Sequence, residues 1–366
     1  MTPDSINVEH QALVDSTALL TEWAELESRA DNRFFLSSSW IGCWLEACHP
    51  RVNVLRARSG EQTVGLALFT VRRSWRHGFV MPRTLRLHQT GIDALDQIWV
   101  EYNDFLLDAC AEDVIASAMQ RYLIDCYPGW DEWSTGAITK GSSLQRVAEE
   151  FYAKKVWYSR YYGVDLDRAR VEHPDYRSSL SRNTRYQINR TEKVYRERGS
   201  LVCERATSLE QARQFFEGAG PLHASRWAVE GTSGFNNPSF VQFHLALIEK
   251  AWPQGQIELL RVSVDDHPVA YLYNFIYRNK VYFYLSGLQF EDDNRLKPGL
   301  LAHALCIEQH WQEGRQYYDF MGGDMRYKKS LANCEGDIAM YAYQKPRAAL
   351  LIERVARYFK HRQWRQ

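Results

Sequence analysis

The stretch QIELLRVSVDDHPVAYLYNFIYRNKVYFYLSGLQF, residues 256–290, predicts three consecutive β-strands. Residues 256–264 and 269–277 are rich in β-branched and aromatic side chains and flank an Asp-Asp turn, and residues 281–290 follow after a short polar link. Runs of this length and composition, bounded by turn residues, are typical of strands joined by hairpins. The stretch therefore indicates a three-strand meander.

A helix and a further strand follow the meander. Apolar residues recur over residues 299–313, with Pro298 near the start and Gly314 at the end. Proline is tolerated in the first turn of a helix, and glycine favours its end. Residues 317–321 (YYDFM) then predict a strand that closes the unit.

Both halves of the chain contain the same two spacings in the same order. In each half a Phe precedes a Ser by four positions, at Phe35 and Ser39 and again at Phe235 and Ser239. In each half a Leu also precedes a Val by nine positions across a hairpin, at Leu55 and Val64 and again at Leu260 and Val269. Each pair joins a helical run to a hairpin. The pattern predicts a duplicated unit of roughly 150 to 170 residues.

The repeat sets the expected domains. A pattern break around Pro174 separates an N-terminal domain, residues 1–170, from a C-terminal domain, residues 171–345. Residues 346–366 predict a separate basic amphipathic helix, with Leu351, Val355, Tyr358 and Phe359 on one side.

Composition indicates a globular protein without a dominant charge. The chain has 366 residues, of which 45% are hydrophobic and 25% charged, and 45 Lys+Arg balance 45 Asp+Glu. No overall field attracts nucleic acid, so we expect no DNA partner. The polar, acidic start of the chain lacks the features of a signal peptide, which predicts a cytoplasmic location. Seven cysteines without a CxxC pair argue against a disulfide framework and a metal site.

Three motifs resemble a known superfamily. They are FLSSSWIGCW (35–44), HASRW (223–227) and YDFMGGDMRYKK (318–329). With the order of meander, helix and strand, they resemble the GNAT acyltransferases, and the doubled unit resembles the tandem FemAB-like and CelD-like branch. The resemblance implies an α/β fold (α+β mixed sheet) of two tandem GNAT-like domains, with the transfer site in the second.

The expected donor site is the start of the helix that follows the meander. In this superfamily a glycine-rich turn and a helix N-terminus hold the pyrophosphate of CoA. Here the turn reads NRLKPGLL (294–301) and keeps a single glycine, so the resemblance places donor contacts at Arg295, Lys297, Gly299 and Leu300. We expect no bound cofactor but acyl-CoA as a co-substrate, with an acyl carrier protein or an aminoacyl-tRNA as alternative donors.

Four residues are candidates for catalysis. Asp324, directly after two glycines at a strand end, is positioned to act as a base if it is partly desolvated, or it simply caps a turn. Tyr327 is a candidate proton donor to the leaving group, and Lys328 is a candidate contact for a phosphate or an oxyanion. The alternative for both is a solvated helix face. His223 is a further catalytic candidate or a structural histidine.

The expected acceptor-binding residues lie on two elements. His223 and Arg226, three apart on one helix face with Trp227 adjacent, suit an anionic or carbohydrate acceptor. Tyr284 and Ser286 lie on the third meander strand, where GNAT enzymes usually bind the donor arm; core packing is the alternative for Tyr284.

Two basic segments suggest partners. Residues 177–198 hold seven Lys/Arg against two Glu, a net charge of +5 that suits CoA phosphates, a carrier protein or tRNA, or else a solvated helix face. Residues 347–365 are basic and amphipathic, which predicts either a docked terminal helix or a peripheral contact with the inner face of the membrane.

These observations predict an N-acyltransferase. It would move an acyl group from acyl-CoA or an acyl carrier protein to an amine of a cell-envelope building block, such as an amino sugar, a polysaccharide precursor or a lipid-like amine. The alternatives are a Fem-like aminoacyl transferase that uses aminoacyl-tRNA and a catalytically inactive GNAT-like binding protein.

Overall fold

The computed structural model describes residues 6–78, 80–145, 151–227 and 233–363. The first part of the chain forms β1 (Asn7–Ala12), α1 (Ser16–Glu27), α2 (Ser38–Cys48), β2 (Asn53–Ser59), β3 (Gln62–Arg73), β4 (Arg83–Leu87), α3 (Asp93–Asp96), β5 (Leu106–Leu107), α4 (Glu112–Arg121), β6 (Glu132–Thr139) and β7 (Tyr152–Asp165). The second part forms α5 (Leu166–Glu172), α6 (Tyr176–Ser179), α7 (Arg182–Arg198), β8 (Leu201–Arg205), α8 (Leu209–Trp227), α9 (Pro238–Ala251), β9 (Ile257–Val264), β10 (His267–Tyr277), β11 (Lys280–Leu288), α10 (Pro298–Gln312), β12 (Tyr317–Gly322), α11 (Arg326–Leu331), β13 (Cys334–Gln344) and α12 (Ala348–Gln363).

The chain divides into two compact units. Unit 1 comprises Met1–Tyr158 and Ile338–Gln366, and unit 2 comprises Ser159–Asp337. The observed boundaries, after residues 158 and 337, differ from the expected boundaries at residues 170 and 345. The observed boundaries fall inside strands β7 and β13 rather than in linkers. The terminal helix α12 belongs to unit 1.

The sheet of unit 1 has a mixed strand order. β1, β2, β3 and β4 pair antiparallel in sequence order, and β4 pairs parallel with β6. The final strand comes from the end of the chain, because β13 pairs antiparallel with β6 from Ile338 to Gln344. Unit 1 therefore cannot complete its sheet without the C-terminal part of the chain.

The sheet of unit 2 repeats this order. β8, β9, β10 and β11 pair antiparallel, and β11 pairs parallel with β12. The end of β7, up to Asp165, pairs antiparallel with β12. Each unit thus takes its last strand from the other half of the sequence, which explains why the domain boundaries lie within strands.

The duplicated spacings fall on equivalent elements. Phe35 and Phe235 lie in short 3₁₀ helices, each followed by a helix, α2 or α9. The Leu-to-Val spacing then spans the hairpins β2–β3 and β9–β10 in both units. The helix starts are also alike, because Ser37 caps α2 and Asn237 caps α9 through side-chain oxygens. The predicted fold class, an α/β mixed sheet built from a tandem repeat, is confirmed.

Unit 2 packs helices on both faces of its sheet. Along β10, Leu272 belongs to the core shared with α10, whereas Tyr271 and Tyr273 contact aromatic rings of α8. This alternation follows from the two-residue period of a strand. Among the residues that the structure describes, no helix combines the length and hydropathy needed to cross a membrane.

Candidate functional site

A cleft opens in unit 2 where two parallel strands part. β11 and β12 pair only over Lys280–Tyr282 and Tyr317–Asp319, although both strands continue. The strands therefore diverge toward their carboxyl ends. Ligands of open α/β sheets commonly bind in crevices at this edge.

The cleft has a volume of about 870 Å³. Its walls come from α7, from the connection between β11 and α10, and from α11. The lining residues are Asn183, Thr184, Tyr186, Gln187, Arg190, Arg226, Leu288, Phe290, Glu291, Asp292, Asn294, Leu296, Lys297, Pro298, Gly299, Leu300, Arg326, Tyr327 and Ser330. A cleft of this size accommodates a ligand larger than an acetylated amine alone.

The first turn of α10 forms one wall. Lys297 is the N-cap and contributes no side-chain cap, and Pro298 occupies the first helical position. Backbone N–H groups in the first turn of a helix have no acceptor within the helix, so those of Gly299 and Leu300 suit an anion. A Cβ at Gly299 would lie 2.9 Å from Leu288 Cδ1, so glycine here keeps the wall of the cleft open.

Of the four predicted donor contacts, Arg295 lies outside the cleft. Its guanidinium is paired with Asp293 at 2.7 Å, and this contact lowers the pKa of Asp293 to about 2. Lys297, Gly299 and Leu300 do line the cleft. The spacing NRLKPGLL could not distinguish Arg295 from Lys297, because the Asp293 partner becomes evident only in three dimensions.

Cationic side chains outnumber acidic ones along the cleft. Arg190, Arg226, Lys297 and Arg326 line it, against Glu291 and Asp292. Glu291 also accepts a hydrogen bond from Arg198, at 2.8 Å, which offsets its charge. The cleft therefore favours an anionic ligand.

Tyr327 is the catalytic candidate that the structure places in the cleft. Its ring stacks on that of His303, with centroids 5.2 Å apart and planes 16° from parallel. Burial raises the pKa of the Tyr327 phenol, and the nearby charge of Arg226 opposes that shift. The phenol is therefore protonated at neutral pH.

His303 supports this tyrosine and has no counterpart among the predicted residues. The ring is fully buried on α10, and Nδ1 lies 3.0 Å from the Tyr318 hydroxyl. Burial, aided by the charge of Lys328, lowers the pKa of His303 to about 3, so the ring is neutral. A lone histidine inside an apolar helix pattern gave no sequence signal of this stacking role.

Asp324 is exposed rather than desolvated. Its Oδ1 accepts a hydrogen bond from the Tyr162 hydroxyl at 2.7 Å, and this bond raises the pKa of Tyr162 to about 12. The chain turns sharply just before Asp324, because Met321 and Gly323 have positive φ angles of 58° and 120°. Asp324 thus projects from a sharp turn, but it does not line the cleft.

Lys328 corrects an expectation. We expected its ammonium to face a phosphate or an oxyanion, yet the side chain is 5% exposed and donates hydrogen bonds to the carbonyl oxygens of Phe320 and Gly322, at 2.7 and 2.6 Å. In the short helix α11, residues 327 and 330 face the cleft, so residue 328 points inward. This geometry favours a structural role.

The residues predicted on α8 divide between the cleft and its surroundings. Arg226 lines the cleft, and its Cζ lies 6.0 Å from the centroid of the Phe290 ring. The Nδ1 of His223 lies 2.9 Å from the Ser233 hydroxyl, and burial lowers the pKa of His223 to about 4, with Arg226 adding to the effect. The Trp227 side chain lies outside the described residues.

Tyr284 and Ser286 do not line the cleft. Tyr284 is packed among aromatic rings, and its hydroxyl lies 3.1 Å from Nε2 of the fully buried His244. Ser286 is 8% exposed. The alternative of core packing therefore describes Tyr284 better than donor binding does.

A buried polar cluster lies elsewhere in unit 2. Glu258, Cys306 and His310 place three possible metal-ligand atoms within 4.8 Å of one another. The Glu258 carboxylate, however, already pairs with Arg205 at 2.7 Å and with His310 at 3.0 Å. These contacts compensate its charge within the protein, as buried carboxylates require.

Unit 1 has its own cleft at the equivalent strand ends, but with the opposite charge. It measures about 310 Å³ and is lined by Asp31, Asp104 and Glu112 along with Arg33 and Lys140. Burial raises the pKa of both Asp104 and Glu112. Glu112 begins α4, the counterpart of α10, so the helix start that suits an anion in unit 2 carries an acid here.

A comparison with protein families matches the part of the chain that forms most of the unit 2 cleft. Residues 182–329 match the family model of the acetyltransferase (GNAT) domain. The matched range lies within unit 2, and this match supports an acyltransferase. The matched range contains α10, Tyr327 and most of the cleft. No curated protein matches the sequence.

Solved structures resemble the whole chain at low identity. FemX is similar with a TM-score of 0.58 and 10% identity over 92% of this chain and 97% of FemX. The C-terminal domain of a putative lysylphosphatidylglycerol synthetase from Agrobacterium fabrum gives 0.53 and 10% over 92% and 95%. A conserved protein of unknown function from Bacteroides thetaiotaomicron VPI-5482 gives 0.52 and 10% over 93% and 100%. At this identity the likeness shows the fold alone.

Proposed function

We propose that the chain is an N-acyltransferase that works in the unit 2 cleft. The donor is an acyl thioester on a phosphate-bearing carrier, such as acyl-CoA or an acyl carrier protein, and the acceptor is an amine of a cell-envelope building block. The observation that carries the proposal is the protonated phenol of Tyr327 in a cationic cleft beside the first turn of α10.

The proposed reaction is direct transfer. The neutral amine attacks the thioester carbonyl carbon, the C–N bond forms, and the C–S bond breaks. The amine proton passes to water, because the bases predicted from the sequence, Asp324 and His223, do not line the cleft. Tyr327 protonates the departing thiolate and regains a proton from solvent, so atoms and charges balance.

The position of the donor follows from charge. The N–H groups of Gly299 and Leu300, with Lys297 and Arg190, suit the phosphates of the carrier. In unit 1 the equivalent helix start carries an acid, Glu112, which disfavours the same phosphates at that position. These contrasts support transfer in unit 2 and a different role for the unit 1 cleft.

A second candidate donor is aminoacyl-tRNA, in an enzyme of the FemAB-like and CelD-like branch. The basic helix α7 lines the cleft through Arg190, and the whole-chain likeness to FemX is consistent with this branch. The leaving group would then be a ribose hydroxyl, whose oxyanion is far more basic than a thiolate. A phenol with a raised pKa, as at Tyr327, suits such a leaving group.

The donor is tested first by thermal stabilisation of the full chain. Acyl-CoA thioesters and charged tRNA are added separately, and the one that raises the melting temperature identifies the donor class. Stabilisation by acyl-CoA supports the main proposal, and stabilisation by charged tRNA alone supports the second candidate. If no donor stabilises the protein at any salt concentration, a catalytically inactive binding protein is the better description.

Catalysis is tested with Tyr327→Phe. We expect kcat with the identified donor and an amine panel to fall on the order of 100-fold. Donor binding is retained, because the substitution removes only the phenol hydroxyl. Tyr186→Phe is the matched control, since Tyr186 also lines the cleft but is 60% exposed. Equal turnover by Tyr327→Phe and the native protein would remove the basis of the proposal.

A further inference from the structure

The terminal helix α12 turns aliphatic side chains toward solvent. Leu350 and Glu353 are each 1% exposed and form its inner side. Leu351, Ile352 and Val355 are 47%, 58% and 56% exposed. These three lie at positions i, i+1 and i+4, so they share one side of the helix. A contiguous exposed apolar strip of this kind commonly marks an interaction surface.

The charged residues of this segment, apart from one, are cationic by sequence. Glu353 is the single acidic residue from 347 to 366, and its buried carboxylate contacts Arg76 and His77, both at 3.4 Å. It therefore does not offset the basic residues of the segment, although one of these, Arg347, pairs with Asp131 at 3.2 Å. By sequence these are Arg347, Arg354, Arg357, Lys360, Arg362 and Arg365.

An exposed aromatic ring lies beside the helix. The Arg354 guanidinium sits 4.2 Å from the ring centroid of Tyr152, which is 46% exposed. Trp75, 67% exposed, directly precedes the Arg76 that contacts Glu353. Tryptophan and tyrosine are favoured where an apolar phase meets water, because their rings combine apolar bodies with polar groups.

We propose that this part of unit 1 docks on a membrane surface that contains anionic lipids. The docking face, here called the α12 surface, consists of Tyr152, Leu351, Ile352, Arg354 and Val355. An amphipathic helix with aliphatic residues on one side and cations around them lies in the plane of the interface. The aliphatic side chains enter the acyl boundary, and the cations meet anionic headgroups. The charge complementarity selects lipid over a second copy of this chain, whose α12 surface would be equally cationic.

Vesicle flotation of the full chain tests the proposal. We expect it to float with vesicles of phosphatidylcholine containing roughly one-quarter phosphatidylglycerol, and much less with phosphatidylcholine alone. Added salt weakens the binding, since charge contributes to it. A triple variant, Leu351→Ser, Ile352→Ser and Val355→Ser, lowers the vesicle partition coefficient by more than about tenfold, because several buried methylene groups are lost.

Matched controls separate membrane docking from other effects. Val14→Ser and Val171→Ser remove exposed valines (95% and 87%) outside the α12 surface and leave vesicle binding unchanged. Arg354→Glu weakens binding to the anionic vesicles while leaving the aliphatic strip intact. Equal binding to both vesicle types, or native binding by the triple variant, overturns the proposal. So does absence of vesicle binding together with a dimer that the triple variant dissociates, because the surface would then join two copies of the chain.

Discussion

At the scale of single residues, Lys328 acts from inside the fold. Lys328→Met keeps much of the aliphatic length but removes the cationic donor from the buried carbonyl oxygen of Phe320 and the half-buried one of Gly322. Each such loss costs about 1–3 kcal/mol. For a unit of this size we expect the melting temperature to fall by roughly 5–10 °C in a thermal unfolding scan. Lys329→Met, at the exposed neighbouring position, is the control and changes it by about 1 °C or less. A Lys328→Met protein with native stability and no turnover would instead restore a direct role in the reaction.

The same motif shows what the sequence predicts about individual residues. Gly-Gly-Asp-x-x-Tyr-Lys places two glycines at the end of a strand, and Gly323 has a φ of 120°, which residues other than glycine rarely adopt. The sequence could not decide which of Tyr327, Lys328 and Lys329 faces the cleft, because the phase of a six-residue helix depends on packing against its neighbours. The pairing of Asp293 with Arg295 was also not predictable, because it depends on the positions of the two side chains.

At the scale of elements, α10 concentrates the donor contacts in its first turn. Lys297→Gln removes one charge at the helix start while keeping a polar side chain. We expect donor Kd to rise about tenfold, since a charge-assisted contact contributes about 1.5 kcal/mol, and the salt dependence of binding to weaken. Titration calorimetry measures both. Lys193→Gln, 77% exposed on α7 and outside the cleft, is the charge-matched control. Equal effects of the two variants would show that net charge, rather than the helix start, governs donor binding.

Local elements were predictable, whereas strand exchange was not. The meander strands and the helix expected at 299–313 coincide with β9 to β11 and α10 within a few residues, since hydrophobic period and turn residues are local signals. The sequences of β7 and β13 contain no local signal that indicates which strands they pair with. Their pairing with β12 and β6 brings together residues far apart in sequence, so the domain boundaries at 158 and 337 could not be read from a composition change.

At the scale of the whole molecule, the duplication is visible in the sequence but the difference between the two clefts is not. The equivalent helices α4 and α10 differ in charge at their starts. Glu112 is the first residue of α4, whereas Lys297 directly precedes α10. The repeat spacings are the same in both units, since they follow from packing. The charges are free to diverge because they lie in clefts rather than in the core. The two units therefore differ in the charged residues of their clefts, although they share the fold.

The distribution of buried histidines makes the whole molecule sensitive to acid. Burial lowers the pKa of His88 and His223 to about 4, and that of His244 and His303 to about 3. In the unfolded chain these rings titrate near 6.5, so between about pH 6.5 and about pH 4 the unfolded state binds more protons. Stability is thus fully present above 6.5 and is lost as pH falls, by up to about 1.4 kcal/mol per histidine for each pH unit.

We therefore expect the melting temperature to drop steeply between about pH 7 and about pH 5, as measured by thermal scans at fixed ionic strength. His303→Gln retains hydrogen-bonding capacity near Tyr318 but cannot take up a proton, so it flattens this pH dependence even if it lowers stability at pH 7. His267→Gln, at an exposed turn, leaves the slope unchanged. A melting temperature that stays constant down to about pH 5 would contradict the burial of neutral histidines, since their protonation is then not linked to unfolding.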